Sequence, residues 1–461
     1  MTDATAPTAR GDAHNPVTAL DAWPDRDASG GDTAFSTALY RGIVRWTSWL
    51  VRGYYQVDVR GAEFAAGPPT LLVQNHTNGL VDAHMLMAST ARPIRVLVKY
   101  KLMTTPFIGW VLRATGAVPM YRKKDGVDTR QNAKSFEAID RALSEDRSVI
   151  ALFPEGESLD AIGLRDLRTG VGRMAISAEG SKEGGIGLTV VATGVTYERR
   201  DRFRSRASVL IGEPIEVAEV LRRARAEGKG ERGAVTILMA DIAERMRGLI
   251  LHAEDEEEYE AAVALERLLP DTGAPAGVAR VAALRSLRTD TGEGAARRRE
   301  LVTQLGGRLE AARLRGDDVL AAPPSAAAAW VPLLWLLPLL AVSAVALGPP
   351  FLLARQIAWL RRTPDKLVSL RCMFAFAGVL LWTPTLVAVG AVVQGWTGAA
   401  SAAVLAGLAL GTYAATLDAW LRARSARARR RLARNGEDAA LGEAIRAIRA
   451  AHGADPAARR K

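Results

Sequence analysis

The chain has a single cysteine, Cys372, in 461 residues. One cysteine excludes an internal disulfide framework and a thiolate-rich metal site, and its place at the start of an apolar run reads as a small buried hydrophobe. Histidine is scarce as well: His14, His76, His84, His252 and His452 are too scattered for a zinc motif. Aromatic residues make up only 6% of the chain and do not assemble with the basic residues into a recognisable nucleic-acid-binding motif, despite a net charge of +11. No Walker loop is present. A nucleophile elbow is missing too, because Gly156-Glu157-Ser158-Leu159-Asp160 lacks the second glycine. Residues 1–33 lack the basic start and apolar run of a signal peptide. They are rich in Thr, Ala, Asp, Gly and Pro without an apolar period and read as a disordered tail.

What is present begins with the apolar run 70–73, which reads as a buried strand. It stops at Asn75-His76, a second turn signal follows at Asn78-Gly79, and Leu80, Met85 and Met87 begin an amphipathic helix. His76 therefore stands where a strand hands over to a helix, a place where side chains face a cleft from a rigid scaffold. Asp82 is close enough in sequence to reach back to the imidazole. A carboxylate on one ring nitrogen makes the other a general base of fixed tautomer. The plainer alternative is a turn histidine bonded to nearby backbone.

Further blocks follow in order. They are Thr115-Gly116-Ala117-Val118-Pro119-Met120-Tyr121-Arg122, then Phe153-Pro154-Glu155-Gly156 at the end of an apolar strand, then the strand 188–197. Together with Asn75-His76 through Asp82, these resemble the motifs of the glycerolipid acyltransferases, which acylate glycerol 3-phosphate or its monoacyl derivative. The resemblance covers roughly the first half of the chain. It implies a catalytic pair of His76 and Asp82, Arg122 on the acceptor's phosphate, and Glu155 with Gly156 at the acceptor's hydroxyls. It also makes Arg168 and Arg173, around Thr169-Gly170, second-rank phosphate ligands, although relatives more often carry lysine at Arg168. An arginine fork matches phosphate oxygens bidentately, and a carboxylate can accept hydrogen bonds from a polyol. A solvated basic turn (Arg122 with Lys123 and Lys124) and a turn glutamate are the alternatives. Ala192 stands where relatives usually have proline, so the strand 188–197 reads as core rather than site. Five residues separate His76 from Asp82, where four are commonest. On a regular helix the extra residue would turn the carboxylate about 100° away. Asn78-Gly79 can absorb it as a turn, and a branch of the family with C-terminal membrane segments shares the longer spacing.

The chain divides by composition. In 34–58, Tyr40, Trp46, Trp49 and Tyr54 recur at helical spacing among arginines, which reads as a membrane-associated amphipathic helix, with core packing as the alternative. In 59–217, strands near 70–75, 94–98, 117–121, 148–153, 188–197 and 207–212 alternate with helices. That predicts an α/β catalytic domain with a largely parallel sheet flanked by helices. A charged helical region, 218–324, carries no chemistry that can be named. Residues 325–421 form a membrane region. Segments 326–347, 373–396 and 399–421 are each near the roughly 20 residues that cross a bilayer. Arginines before the second and after the third place both ends in the cytoplasm. The first segment then reads as a re-entrant hairpin bent at Gly348-Pro349-Pro350, the alternative being a single span against the charge bias. Residues 422–461 read as a basic cytoplasmic tail.

The expectation is a membrane-bound O-acyltransferase in phospholipid biosynthesis, on the cytoplasmic membrane with its catalytic domain on the cytoplasmic face. Its partners would be a lipid bilayer, a glycerol-phosphate acceptor and acyl-CoA or acyl carrier protein as co-substrate, with no metal, no other cofactor and no nucleic acid. The alternatives are a different lipid acceptor, a transacylase between phospholipids, or a non-catalytic lipid-binding membrane protein.

Overall fold

The computed structural model describes residues 37–61, 68–90, 92–105, 108–123, 126–144, 148–158, 162–200, 202, 204–322, 325, 364–454 and isolated positions between 334 and 356. The tail 1–33 lies outside them. So, for the most part, does the expected re-entrant hairpin over 326–360.

A seven-stranded sheet organises the first half, in the order β1-β7-β6-β2-β5-β3-β4. Its strands are β1 (Tyr55–Gly61), β2 (Thr70–Gln74), β3 (Ile94–Lys99), β4 (Val118–Met120), β5 (Val149–Leu152), β6 (Thr189–Tyr197) and β7 (Ser205–Glu216). Every neighbouring pair is parallel except β6 with β7. β2 and β5 are central and fully buried, and the apolar runs at their centres, 71–73 and 149–152, suit strands covered on both faces. Side chains alternate between those faces. Leu71 and Val73 pack against the helices Asn132–Ser144, Gly170–Glu179, Val217–Ala226 and Glu231–Leu249. Leu72 packs on the other side with α1 (Thr37–Tyr54) and α2 (Leu80–Met87).

Strand β1 corrects the sequence reading. The amphipathic helix expected over 34–58 stops at Tyr54, and Tyr55 opens a strand in register with Ser205 of β7. Tyr55-Gln56-Val57-Asp58-Val59 has the period-two alternation of a strand, which the stronger helical period upstream obscures. Helix α1 faces two ways. Tyr40, Val44 and Val51 are buried in the core, and the Tyr40 hydroxyl accepts the Ile94 N–H at 2.9 Å. Trp46 stacks on Trp49 with centroids 5.4 Å apart, and Trp49 is exposed.

The charged helical region has its own core. Helices Glu256–Leu268, Ala276–Thr289 and Ala295–Ala312 enclose Leu265, Leu284, Val302 and Leu309. The helix Glu437–Ala451 adds Leu441, Ile445 and Ile448 to that core, and Arg449 donates to Leu268 O at 2.8 Å. Residues 437–451 are thus a docked helix rather than a free basic tail, because their apolar residues recur at three- and four-residue steps.

Beyond 364 the chain is helical from Pro364 to Arg434, broken at Gln394 and Gly395, where Gly395 has φ 64°. Along a straight helix Gly390 and Gly398 would be about 12 Å apart. Instead the Gly398 carbonyl occupies the space a Gly390 side chain would need. Val379 and Ala409, equally far from the break, share one buried cluster with Trp46 and Leu386 packed against it. The segment is therefore an antiparallel helical hairpin whose arms meet at glycines, and its turn falls where the sequence expects it. The stretch Leu381–Ala409 has the length and apolar composition of a membrane span, with a mean hydropathy of 1.4, but the break at Gly395 folds it into the two arms. Leu381 (73%), Val392 (87%) and Trp396 (91%) are largely exposed. Arg204 joins the hairpin to the sheet domain through paired bonds of 2.9 and 2.7 Å to Asp418.

Candidate active site

Parallel strands bring their carboxyl ends to one edge, and the three chemical motifs all lie just beyond such ends. His76 follows β2, Glu155 follows its neighbour β5, and Arg122 follows β4.

The turn at 78–79 settles whether Asp82 can reach His76. Gly79 takes φ 54°, helix α2 begins only at Leu80, and Val81 N–H donates to Asn78 O. A side chain at 79 would be strained at that φ. The delay brings the Asp82 carboxylate back over the turn, with Oδ2 2.9 Å from His76 Nδ1. Asp82 is wholly buried while the imidazole keeps 14% of its surface. A buried carboxylate needs partners, and Asp82 has two more: the Asn78 N–H at 2.6 Å and the Tyr197 hydroxyl at 2.7 Å. With Asp82 accepting at Nδ1, the ring's Nε2 is left with its lone pair. The ring also stacks on Phe153, centroids 4.1 Å apart and planes 19° apart.

Glu155 lies beside the same histidine. Its Oε2 accepts the His76 backbone N–H at 3.4 Å. Burial pushes its carboxyl from 4.5 to about 7, against the lowering effect of that N–H and of the nearby His76 and Arg165. At Gly156 (φ 74°) the chain turns, and the Arg168 side chain fills the place where a Cβ would stand. Arg122 donates to the Gly156 carbonyl at 3.2 Å. Two of the three expected phosphate-binding arginines therefore converge on one glycine. Arg173 does not join them and stands exposed in the first turn of Gly170–Glu179. Arg122 is held by its own strand end: Asn132 pairs with the Tyr121 backbone through bonds of 2.8 and 2.7 Å, and Tyr121 stacks on Tyr100. Ser158 serves the fold, since its hydroxyl accepts the Gly79 N–H at 2.7 Å.

Sequence reasoning missed the residues behind the pair. Tyr197 ends β6, the strand read as plain core. Its hydroxyl is fully buried, and burial beside Asp82 and Tyr55 holds it well above the usual tyrosine range. Asn78 Nδ2 donates to the Tyr55 hydroxyl at 3.0 Å, Tyr55 donates to Arg200 O at 2.5 Å, and Arg200 donates to Thr77 O at 2.8 Å. That ring fastens the five-residue loop to β1 and the end of β6. A cavity of about 700 Å³ borders it, lined by Thr77, Tyr197, Arg200, Arg280 and Gly307 among others. The His76 ring does not line that cavity.

A general base, a buried acid and two arginines on one sheet edge can deprotonate a hydroxyl and bind a phosphate beside it. The family model described as "Acyltransferase" matches residues 56–196. Glycerol-3-phosphate O-acyltransferase 1 of Saccharomyces cerevisiae is 31% identical over 119 residues, 26% of this chain and 16% of that protein. The chloroplastic 1-acyl-sn-glycerol-3-phosphate acyltransferase of Arabidopsis thaliana is 27% identical over 113 residues, 24% of this chain and 30% of that one. The alignments thus span less than a third of either relative's length. The crystal structure of the 1-acyl-sn-glycerophosphate acyltransferase from Thermotoga maritima is 16% identical, covering 43% of this chain and 81% of that one at a TM-score of 0.30. Over residues 56–196 the chain thus carries an acyltransferase domain similar to those of glycerolipid acyltransferases.

Proposed function

We propose that the chain is a membrane-bound O-acyltransferase. It would move a fatty acyl group from an acyl thioester, acyl-CoA or acyl carrier protein, to glycerol 3-phosphate or 1-acylglycerol 3-phosphate. The observation that carries the proposal is the 2.9 Å bond between His76 Nδ1 and Asp82 Oδ2, at the same sheet edge as Glu155 and Arg122.

In this reading the acceptor hydroxyl attacks the thioester carbonyl while His76 Nε2 takes its proton. Asp82 holds the ring and stabilises the imidazolium. The tetrahedral intermediate collapses, the C–S bond breaks, and the departing thiolate takes the proton back from Nε2. Arg122 and Arg168 hold the acceptor's phosphate, and Glu155 positions its glycerol hydroxyls. The exposed apolar hairpin around Leu381–Ala409 and the tryptophans of α1 support membrane attachment.

The test is the purified full-length protein in detergent with labelled acyl-CoA or acyl carrier protein and a panel of glycerol acceptors. Transfer to a phosphorylated glycerol is expected. His76→Ala should cut it by roughly 10²–10⁴-fold while the circular dichroism spectrum stays that of the parent. Transfer only to unphosphorylated acceptors, or near-normal turnover without the imidazole, would end the proposal.

A further inference from the structure

Asp82 reaches His76 only because a five-residue loop is held in one shape, and the holding groups come from far along the chain. Oδ2 is shared between His76 Nδ1 and the Asn78 N–H, which lies inside the loop itself. Oδ1 has the Tyr197 hydroxyl, 115 residues away on β6. Two contacts on one oxygen leave the carboxylate free to rotate about its Cβ–Cγ bond. A third on the other oxygen fixes its plane. Tyr197 is suited to this: its ring lies 5.1 Å from that of Tyr55, and β6 fixes its backbone by pairing with Ala207. Burial keeps the phenol protonated at any working pH, so it remains a donor throughout the reaction.

We infer that Tyr197 is a positioning residue for acyl transfer, acting through Asp82 to hold the His76 imidazole in its Nδ1–H tautomer and in line with the acceptor hydroxyl. This rests on the acyltransferase reading above. Tyr197 touches no substrate in this scheme, so its loss should appear in kcat and not in KM.

The experiment is a double-mutant cycle in the full-length protein. Tyr197→Phe removes one oxygen and keeps the packed ring. Loss of a hydrogen bond to a charged group is worth about tenfold, so kcat should fall roughly tenfold with both KM values within about twofold of the parent. In an Asp82→Asn background the tautomer is already lost, and Tyr197→Phe should cost less than about twofold more. A full tenfold loss in that background would mean that Tyr197 acts elsewhere in the fold. A raised KM with kcat unchanged would make it a substrate contact instead. An unchanged kcat overturns the inference outright. Selective ¹⁵N-histidine labelling gives a readout independent of turnover, with the His76 signal assigned by its loss in His76→Gln. Tyr197→Phe should move the Nδ1–H resonance, and an unmoved resonance contradicts the inference. A wild-type protein that acylates none of the acceptors sinks the functional reading, while the resonance still decides the role of Tyr197.

Discussion

Replacing Glu155 by glutamine should stabilise the protein at neutral pH and lower its activity. Glu155 is 6% exposed, and burial raises its carboxyl from 4.5 to about 7. The folded state therefore holds a proton that the unfolded chain has released. Stability from this group is full below pH 4.5 and is lost as pH rises towards 7. The shift, at 1.36 kcal/mol per pH unit, corresponds to about 3 kcal/mol. For a domain of this size that is at most roughly 6–12 °C in Tm. Glutamine keeps the shape and can still accept the His76 N–H, but it has nothing to ionise. Other titrating groups are common to both proteins and cancel in the difference. Melting of wild type and Glu155→Gln, followed by circular dichroism in the same detergent, should be nearly level at pH 4.5, with the variant several degrees higher at pH 8. Parallel curves across that range would show that the carboxyl ionises normally and that its burial costs nothing. Acyl transfer should fall in the same variant, because a costly buried acid beside a general base is a feature of sites rather than of scaffolds.

Further outcomes are expected elsewhere. Arg122→Lys keeps the charge and loses the fork, so the acceptor's KM should rise several-fold while the donor's stays constant; an effect on the donor alone would move the phosphate to Arg168 or Arg173. In a Cys372→Ser background, cysteines placed at Ser369, Thr397 and Ser425 report the hairpin's orientation. Only Thr397, beside the Gly395 turn, should react with an impermeant thiol reagent on sealed cells, and labelling at Ser369 would reverse the topology.

The parts of the site that were legible in the sequence are the local ones. His76 and Asp82 are joined by a single turn, and Phe153 to Gly156 carry a strand end, a stacking ring, an acid and a left-handed glycine within four residues. The hairpin was legible for the same reason, since apolar length and arginine placement are written along the chain. What could not be read depends on which strands become neighbours. Tyr197 meets Asp82 because β6 lies beside β2, an adjacency set by the whole sheet order. Strand β1 lies next to β7, so its pairing partner is about 150 residues away and its own signal is only five alternating residues. The docked helix Glu437–Ala451 was read with the basic tail because the arginines just before it, Arg422 to Arg434, dominate that end of the chain, whereas the helix itself buries Leu441, Ile445 and Ile448.

The net charge of +11 invites a uniform electrostatic reading that the structure does not support. Many of the arginines are internal fasteners. Arg280 caps the end of β6 by donating to Tyr197 O and Glu198 O, and Arg267 pairs with Glu310. Arg315 pairs with Glu266, and Arg204 holds Asp418. The acid-paired groups have their charge matched at short range inside the protein, and Arg280 spends its donors on backbone carbonyls. Among the described residues, two other groups of cations bear on the proposed function. One is at the sheet edge, where Arg122 and Arg168 meet at Gly156 beside the general base. The other is at the end of the hairpin, where Arg424 lies over Trp420 at 5.7 Å and Arg430 and Arg431 follow on the same helix. An arginine paired with a tryptophan at the end of an apolar helix suits a membrane interface. Arg204 and Asp418 tie that end to the loop between β6 and β7. The basic end of the hairpin and the carboxyl edge of the sheet are thus fixed to one another. Under the proposed function, a membrane that held the hairpin would also hold the candidate site at a set distance from its surface, which suits an enzyme that takes a soluble thioester and leaves its product in the lipid.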